Sequence, residues 1–314
     1  MALSESLTAL AAMQVHTIAF VTDRLPSAAI KLALRFNANV RVLVLAPRTQ
    51  RAQVQALGAS WADLNAHDNR TRAWASIYRQ AAPGTPVYWR FCHMRWLALA
   101  SELRAQPPPA NGAVAVVDDD LLLFEQVEQR RREVCRVHPA AHAQTVVGGA
   151  YVLAAPGVLT RFAAFLWALY ALPDRALADI AWKFGERRPL SLLNNGQRSR
   201  IDQLFQHGNS YALFTDMHAI DAFRILSRTG QLPEELRVQW NAGYRRQNCT
   251  HAAKADKLHI PGRTLHPSGH QLQWHGEVPY PRDGGAPLCF LHLQGPTAKH
   301  MLPTIAEAGG LLPT

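Results

Sequence analysis

Two stretches near the start of the chain are apolar almost throughout: "VHTIAFVT" from Val15 to Thr22 and "VRVLVLAP" from Val40 to Pro47. A strand with one face in water alternates polar and apolar residues, whereas a strand apolar throughout needs cover on both faces. Between the two runs lies "SAAIKLALRF", whose apolar spacing is helical. Strand, helix and strand in that order predict a parallel pair with a crossover helix, and so an α/β fold with a mainly parallel central sheet flanked by helices. With 314 residues, 48% of them hydrophobic, the chain can cover such a sheet, as a single large domain or as two lobes. Ligands of parallel sheets lie beyond the carboxyl ends of the strands. Thr22 and Asp23 therefore stand where a ligand would bind, unless "TDRLPS" is only a turn and helix cap.

Further along, the pattern predicts a helix from Arg51 to Leu57, a polar loop "NAHDNRTR" and a helix from Ala73 to Ala82. "GTPVYWRF" reads as a strand, "RWLALASELRAQ" as an amphipathic helix, and "PPPANG" as a linker. The linker leads into "AVAVVDDDLLLF", where Asp118, Asp119 and Asp120 sit between two apolar runs. Removing an ionised carboxylate from water costs several kcal/mol, so something must offset that cost. Three readings compete. Asp118 and Asp120 share a divalent cation, with magnesium or manganese suited to their hard oxygens and Asp119 turned elsewhere. Alternatively, the three form an acidic turn left in water, or one of them is the nucleophile of an aspartyl phosphotransferase, whose usual motif this stretch matches poorly.

The second half differs in texture. "TVVGGAYVLAAP" is a strand pair, or a strand broken at Gly148 and Gly149, and "GVLTRFAAFLWALYAL" is a helix. In "YALFTDMHAIDAFRIL" Thr215 caps a helix and Asp216 stands in its first turn, where it complements the helix dipole or serves a site. "KLHIPGRTLHPSGHQLQWHGEVPYPRDGG" reads as turns and short hairpin-like strands. A short apolar strand, Leu288 to Leu291, then runs into His292, Gly295 and Lys299. An imidazole can complete a manganese site, a glycine lets backbone amides approach phosphate oxygens, and a lysine supplies a point charge.

Charge narrows the partners less than it first suggests. The formal net charge is +10, and Lys31, Lys183, Lys254, Lys257 and Lys299 are the only lysines among 33 basic residues. Arginine forks suit phosphates and carboxylates, so nucleic acid, anionic membrane and phosphorylated small molecules are all admissible. Cys92, Cys135, Cys249 and Cys289 form no CxxC pair, which argues against a zinc knuckle or disulfide framework and for a reducing compartment. The first twenty residues lack a basic signal-peptide start, and "VLTRFAAFLWALYALP" is broken by Arg161 and too short to cross a bilayer. A cytoplasmic protein without a transmembrane segment is expected.

Taken together, "FCHMRWLALASEL", "VVDDDLLLF", "VGGAYVL", "TDMHAIDAF" and "FLHLQGPTAK" resemble, in order and rough spacing, the nucleotide-sugar glycosyltransferases of the GT-A fold. The likeness is to the glycogenin-like and galactosyltransferase-like group, with its Asp-x-Asp motif and C-terminal His-x-x-Gly motif. It implies a Rossmann-like sheet in a domain whose nucleotide-sugar half spans residues 1–126 and whose acceptor half spans 127–314. It also implies a metal-dependent transfer from a nucleotide-sugar, a UDP-sugar foremost, to a carbohydrate or glycoconjugate acceptor, with retention of configuration. Asp118, Asp120 and His292 would hold Mn2+ or Mg2+. Thr22, Arg95, Asp119, Gly148, Gly295 and Lys299 would contact the donor, and Asp216 would act at the reacting sugar. Lys299 falls one residue later than the family's lysine, and Pro296 sits within that loop. The alternative is a non-catalytic basic protein that binds nucleic acid or an anionic surface on the same fold, although its aromatic and basic stretches match no nucleic-acid module.

Overall fold

A computed structural model describes residues 13–66, 68–124, 126–129, 144–147, 151–238, 272–275, 278–281 and 290–292. Two compact units interleave along the chain: residues 1–64, 108–155 and 241–314 form the first, and residues 65–107 and 156–240 the second.

The first unit opens with β1 (Gln14–Val21), α1 (Ser27–Phe36), β2 (Arg41–Ala46), α2 (Arg51–Ala56) and β3 (Ser60–Asp63). It continues with β4 (Gly112–Val117), β5 (Leu121–Leu123), β6 (Gln144–Val147) and β7 (Tyr151–Ala154). Six of these strands form one sheet in the order β3-β2-β1-β4-β7-β6. β1 runs parallel to β2 and β4, and β2 to β3, whereas β7 is antiparallel to both β4 and β6. The architecture is thus α/β with a mainly parallel sheet, as the apolar runs predict. Every residue of β4 is buried, as are all but the first and third of β1, so both faces of the sheet are covered. Ile18, Phe20, Val42, Val44, Ala115 and Val117 pack with Ile30 and Leu32 of α1 and with Leu121–Leu123 of β5. The sequence reading leaves "TVVGGAYVL" as one strand or two, and it forms two, β6 and β7. It does not predict β3, whose only fully apolar positions are Trp61 and Ala62.

The second unit holds α3 (Asp68–Ile77), α4 (Pro86–Ala105), α5 (Pro156–Tyr170), α6 (Asp174–Phe184), α7 (Asn195–Arg198) and α8 (Asp216–Arg228). Its strands β8 (Glu186–Pro189), β9 (Gln206–His207) and β10 (Ser210–Leu213) form an antiparallel sheet in the order β8-β10-β9. Aromatic rings make much of its core: Trp96 meets Phe162 edge-on at 5.4 Å, and Phe162 and Phe223 lie 5.5 Å apart.

Two expectations fail here. "GTPVYWRF" is not a strand but the first part of α4, a single helix that also takes in "RWLALASELRA". Pro86 occupies the first turn, where its missing N–H is no loss and its fixed φ suits a helix, so the proline read as part of a strand starts a helix instead. The polar loop "NAHDNRTR" is likewise half helix, because α3 begins at Asp68 and ends at Ile77 rather than running from Ala73 to Ala82. Thr71 and the fully buried Trp74 lie three residues apart on one face of it, which anchors the polar start. Beyond Ile77 the chain leaves the helix toward Pro83 and Gly84, the latter at φ 119°, a region open to glycine. The carbonyls of Gln80 and Ala81 then accept bonds from Asp202 N and Phe214 N at 3.1 and 2.7 Å.

The first unit resumes late in the chain with an antiparallel hairpin, β11 (Leu272–His275) and β12 (Val278–Pro281), as the hairpin-like pattern suggests. The final strand, β13 (Phe290–His292), pairs antiparallel with β5.

Candidate functional site

From β1 the chain proceeds outward through β2 and β3, then returns to β4 on the other side of β1. That reversal falls at the carboxyl ends of β1 and β4, the position where open α/β sheets in general bind ligands. Phe20 and Val117 are register partners, so continuing the parallel register sets Thr22 beside Asp119 as the two strands leave the sheet. Thr22 is fully buried, and its amide donates to Leu45 O at 3.0 Å. Its hydroxyl accepts from Arg24 N at 3.0 Å and lies 2.6 Å from Arg24 O and 3.2 Å from Asp119 Oδ2. One hydroxyl proton serves both oxygens, the carbonyl more closely. The loop after β1 is thereby tied to the acidic turn after β4.

The three aspartates make a tight turn, closed by Leu121 N donating to Asp118 O at 3.2 Å. Asp118 and Asp119 are half-buried and Asp120 is 7% exposed, directly before the fully buried Leu121–Leu123. The sheet thus carries Asp118 to Asp120 to the edge formed by the carboxyl ends of β1 and β4, while β5 draws the following leucines into the core. His292 comes to the same place from the far end of the sequence. In the β5 and β13 pairing it is opposite Leu121, the residue after Asp120. Antiparallel partners have Cα atoms roughly 5 Å apart. Backbone pairing therefore brings three predicted metal ligands into one neighbourhood. Gly148, Gly295 and Lys299 lie outside the described residues.

Two carboxylates from one turn suit a hard divalent cation, and the strand bearing His292 is registered against that turn. Among the described residues no three His, Cys, Asp or Glu side chains form a metal cluster. The His292 ring is not part of that set, because β13 is described by its backbone.

The second unit brings the other two predicted site residues together. Arg95 Nη2 donates to Asp216 Oδ2 at 2.8 Å, and Trp96 Nε1 donates to the same oxygen at 3.1 Å. The Arg95 guanidinium also lies 5.2 Å from the centre of the Trp96 ring. Asp216 is 4% exposed. Burial, the largest single influence, would raise its carboxyl, but the Arg95 charge, the His93 ring and the hydrogen bonds from Trp96 and Arg95 together outweigh it and hold the carboxyl below the ordinary carboxylate value. Asp216 sits at the start of α8, where Thr215 N donates to His218 Nδ1 at 3.1 Å. Burial pushes the His218 imidazole down, in keeping with a neutral ring that accepts this bond.

Beneath this pair lies His93, fully buried, with Nδ1 3.0 Å from Trp89 O and Nε2 3.2 Å from Tyr170 Oη. A carbonyl only accepts, so Nδ1 carries the proton and Nε2 accepts from the phenol. Burial drives the His93 imidazole down, which keeps it neutral. Sequence reasoning misses both His93 and Trp96. Adjacent helix positions point about 100° apart, so nothing in "MRW" signals that Arg95 and Trp96 converge on one oxygen.

No protein-family model and no curated protein matches the chain. Among solved structures, the chain is similar to mouse xyloside xylosyltransferase 1 in its apo form, with a TM-score of 0.40 and 10% sequence identity, covering 75% of this chain and 88% of that one. Among the described residues no helix is long and apolar enough to cross a membrane.

Proposed function

We propose that this chain is a metal-dependent glycosyltransferase of the GT-A type, taking a sugar from a nucleotide-sugar, a UDP-sugar foremost, to a carbohydrate or glycoconjugate acceptor with retention of configuration. The observation that carries this reading is the registration of His292 beside the Asp118–Asp120 turn, at the sheet reversal where Thr22 and Asp119 meet. Asp118, Asp120 and His292 would hold Mn2+ or Mg2+. Such a cation neutralises charge developing on a departing nucleoside diphosphate. Thr22 and Asp119 would bound the nucleotide, with the loop between β1 and α1 held by the Thr22 bonds. Gly148, Gly295 and Lys299 keep the donor contacts that the sequence resemblance assigns them.

Toward the sugar, the resemblance assigns Arg95 and Asp216. Asp216 is ionised at neutral pH and acts there as an acceptor of hydroxyl hydrogen bonds, not as a proton donor. The deciding experiment measures the melting temperature with each nucleoside diphosphate, with and without manganese. A single diphosphate should raise it by about 2–4 °C at a hundredfold excess over its dissociation constant. The rise should vanish on chelation and in Asp120→Ala. Absence of any shift, or stabilisation by long polyanions that ignores chelation, would reject the reading.

A further inference from the structure

Asp216 is unusual in how its carboxylate is used. Arg95 and Trp96, consecutive on α4, both donate to Oδ2, at 2.8 and 3.1 Å. Among the described residues Oδ1 accepts no hydrogen bond, and the carboxylate-bearing side chain keeps 6% of its surface exposed. Arginine carries five N–H donors in a fork and commonly grips both oxygens of a carboxylate. Here the indole takes part of one oxygen's capacity, and the guanidinium meets that oxygen through one nitrogen while stacking near the indole. The indole is itself fixed. Trp96 is 2% exposed, and Phe162 packs edge-on against it.

We infer that Trp96 is a positioning residue: its N–H fixes the plane of the Asp216 carboxylate so that Oδ2 is spent internally and Oδ1 is presented to a ligand hydroxyl. The ligand class follows from the chemistry. A single ionised, nearly buried acceptor oxygen rewards a neutral hydroxyl donor and repels a phosphate or carboxylate. Arg95 supplies the charge, and Trp96 sets direction. This inference deepens the proposed function, on which its ligand rests, but the hold itself stands apart from it.

Two substitutions separate the indole N–H from the bulk of the ring: Trp96→Phe, and benzothienylalanine at position 96, in which sulfur replaces the N–H with the ring shape kept. Carbon-13 NMR titration of the Asp216 carboxyl reads the hold without any ligand. Among the described residues the other ionisable groups that act on Asp216 are Arg95, His93, Tyr78, Tyr88, Tyr170 and His218, and all are unchanged in both variants. The Asp216 titration should move upward in both, with an unaltered melting temperature in the benzothienyl variant. With a nucleotide-sugar identified by thermal shift, kcat/KM should fall about ten- to a hundredfold, as for loss of a hydrogen bond to a charged group. An unchanged Asp216 titration in the benzothienyl variant would overturn the inference. A moved titration in a protein that binds no nucleotide-sugar would uphold Trp96 in its positioning role while removing the transferase reading.

Discussion

His292 and Leu121 are register partners across the β5 and β13 pair, although 171 positions separate them in sequence, and this pairing sets the imidazole-bearing residue one step from Asp120. Replacing His292 by alanine leaves that backbone pairing intact and removes only the imidazole. The manganese-dependent thermal shift should then need at least about tenfold more manganese, the scale on which lesser changes around metal sites act. A titration of melting temperature against manganese at fixed nucleotide checks this, and an unchanged midpoint would remove His292 from the metal site.

Breaking the Arg95 and Asp216 pair should be costly because both side chains are largely out of water, 15% and 6% exposed. Removing one partner from a buried pair costs about 3–5 kcal/mol, since the other charge is left uncompensated. Urea unfolding of Arg95→Ala should show this loss, and Arg95→Ala with Asp216→Leu should recover a good part of it. If the single substitution cost as little as an exposed ion pair does, under about 1 kcal/mol, the pair would not be the buried anchor described.

The same aspartate should shape acid stability. Its folded carboxyl titrates below the unfolded one, so the folded state binds fewer protons as pH falls through the unfolded value of about 3.9. Its contribution is therefore complete above that pH and is lost as pH drops through the folded value. Stability curves for the native chain and Asp216→Asn should converge in that acid window and diverge above it. Parallel curves would show that Asp216 titrates alike in both states.

His93 acts in a higher window. Burial lowers its folded value below the ordinary 6.5, so protons favour the unfolded chain as pH falls beneath 6.5. Stability is unaffected above that pH and declines below it until the folded imidazole also protonates. His93→Gln cannot titrate, yet offers a donor toward Trp89 O and an acceptor toward Tyr170 Oη. Its stability should vary less between pH 7 and 5 than that of the native chain, with His218 supplying the remaining slope.

Gly185, between α6 and β8, tests the backbone packing of the second unit. A Cβ there would stand 2.5 Å from Ala181 O and 2.8 Å from Leu213 O, and backbone oxygens yield little. Gly185→Ala should cost about 1–3 kcal/mol in urea unfolding, the range for overpacked sites. A neutral result would mean that the α6 and β10 backbones separate easily at this point.

The local record in the sequence was sufficient wherever one segment's needs were satisfied by its own residues. β1, α1, β2 and β4 are legible because an apolar run buried on both faces and a helical spacing each leave a periodic trace. The same holds for the placing of Asp118–Asp120 at a strand's carboxyl end. "GTPVYWRF" misled because a short run rich in Val, Tyr, Trp and Phe has the composition of a strand, and only Cys92, Trp96, Leu99 and Leu103, buried further along α4, settle the helix. Tertiary structure alone decided which residues share an oxygen or an edge. The strand order put Thr22 against Asp119, antiparallel pairing carried His292 to the acidic turn, and helix packing turned Trp96 as well as Arg95 onto Asp216. The reason is physical: hydrogen bonds across long loops leave no periodicity in the chain, since their geometry is set by the packing of elements that neither residue encodes.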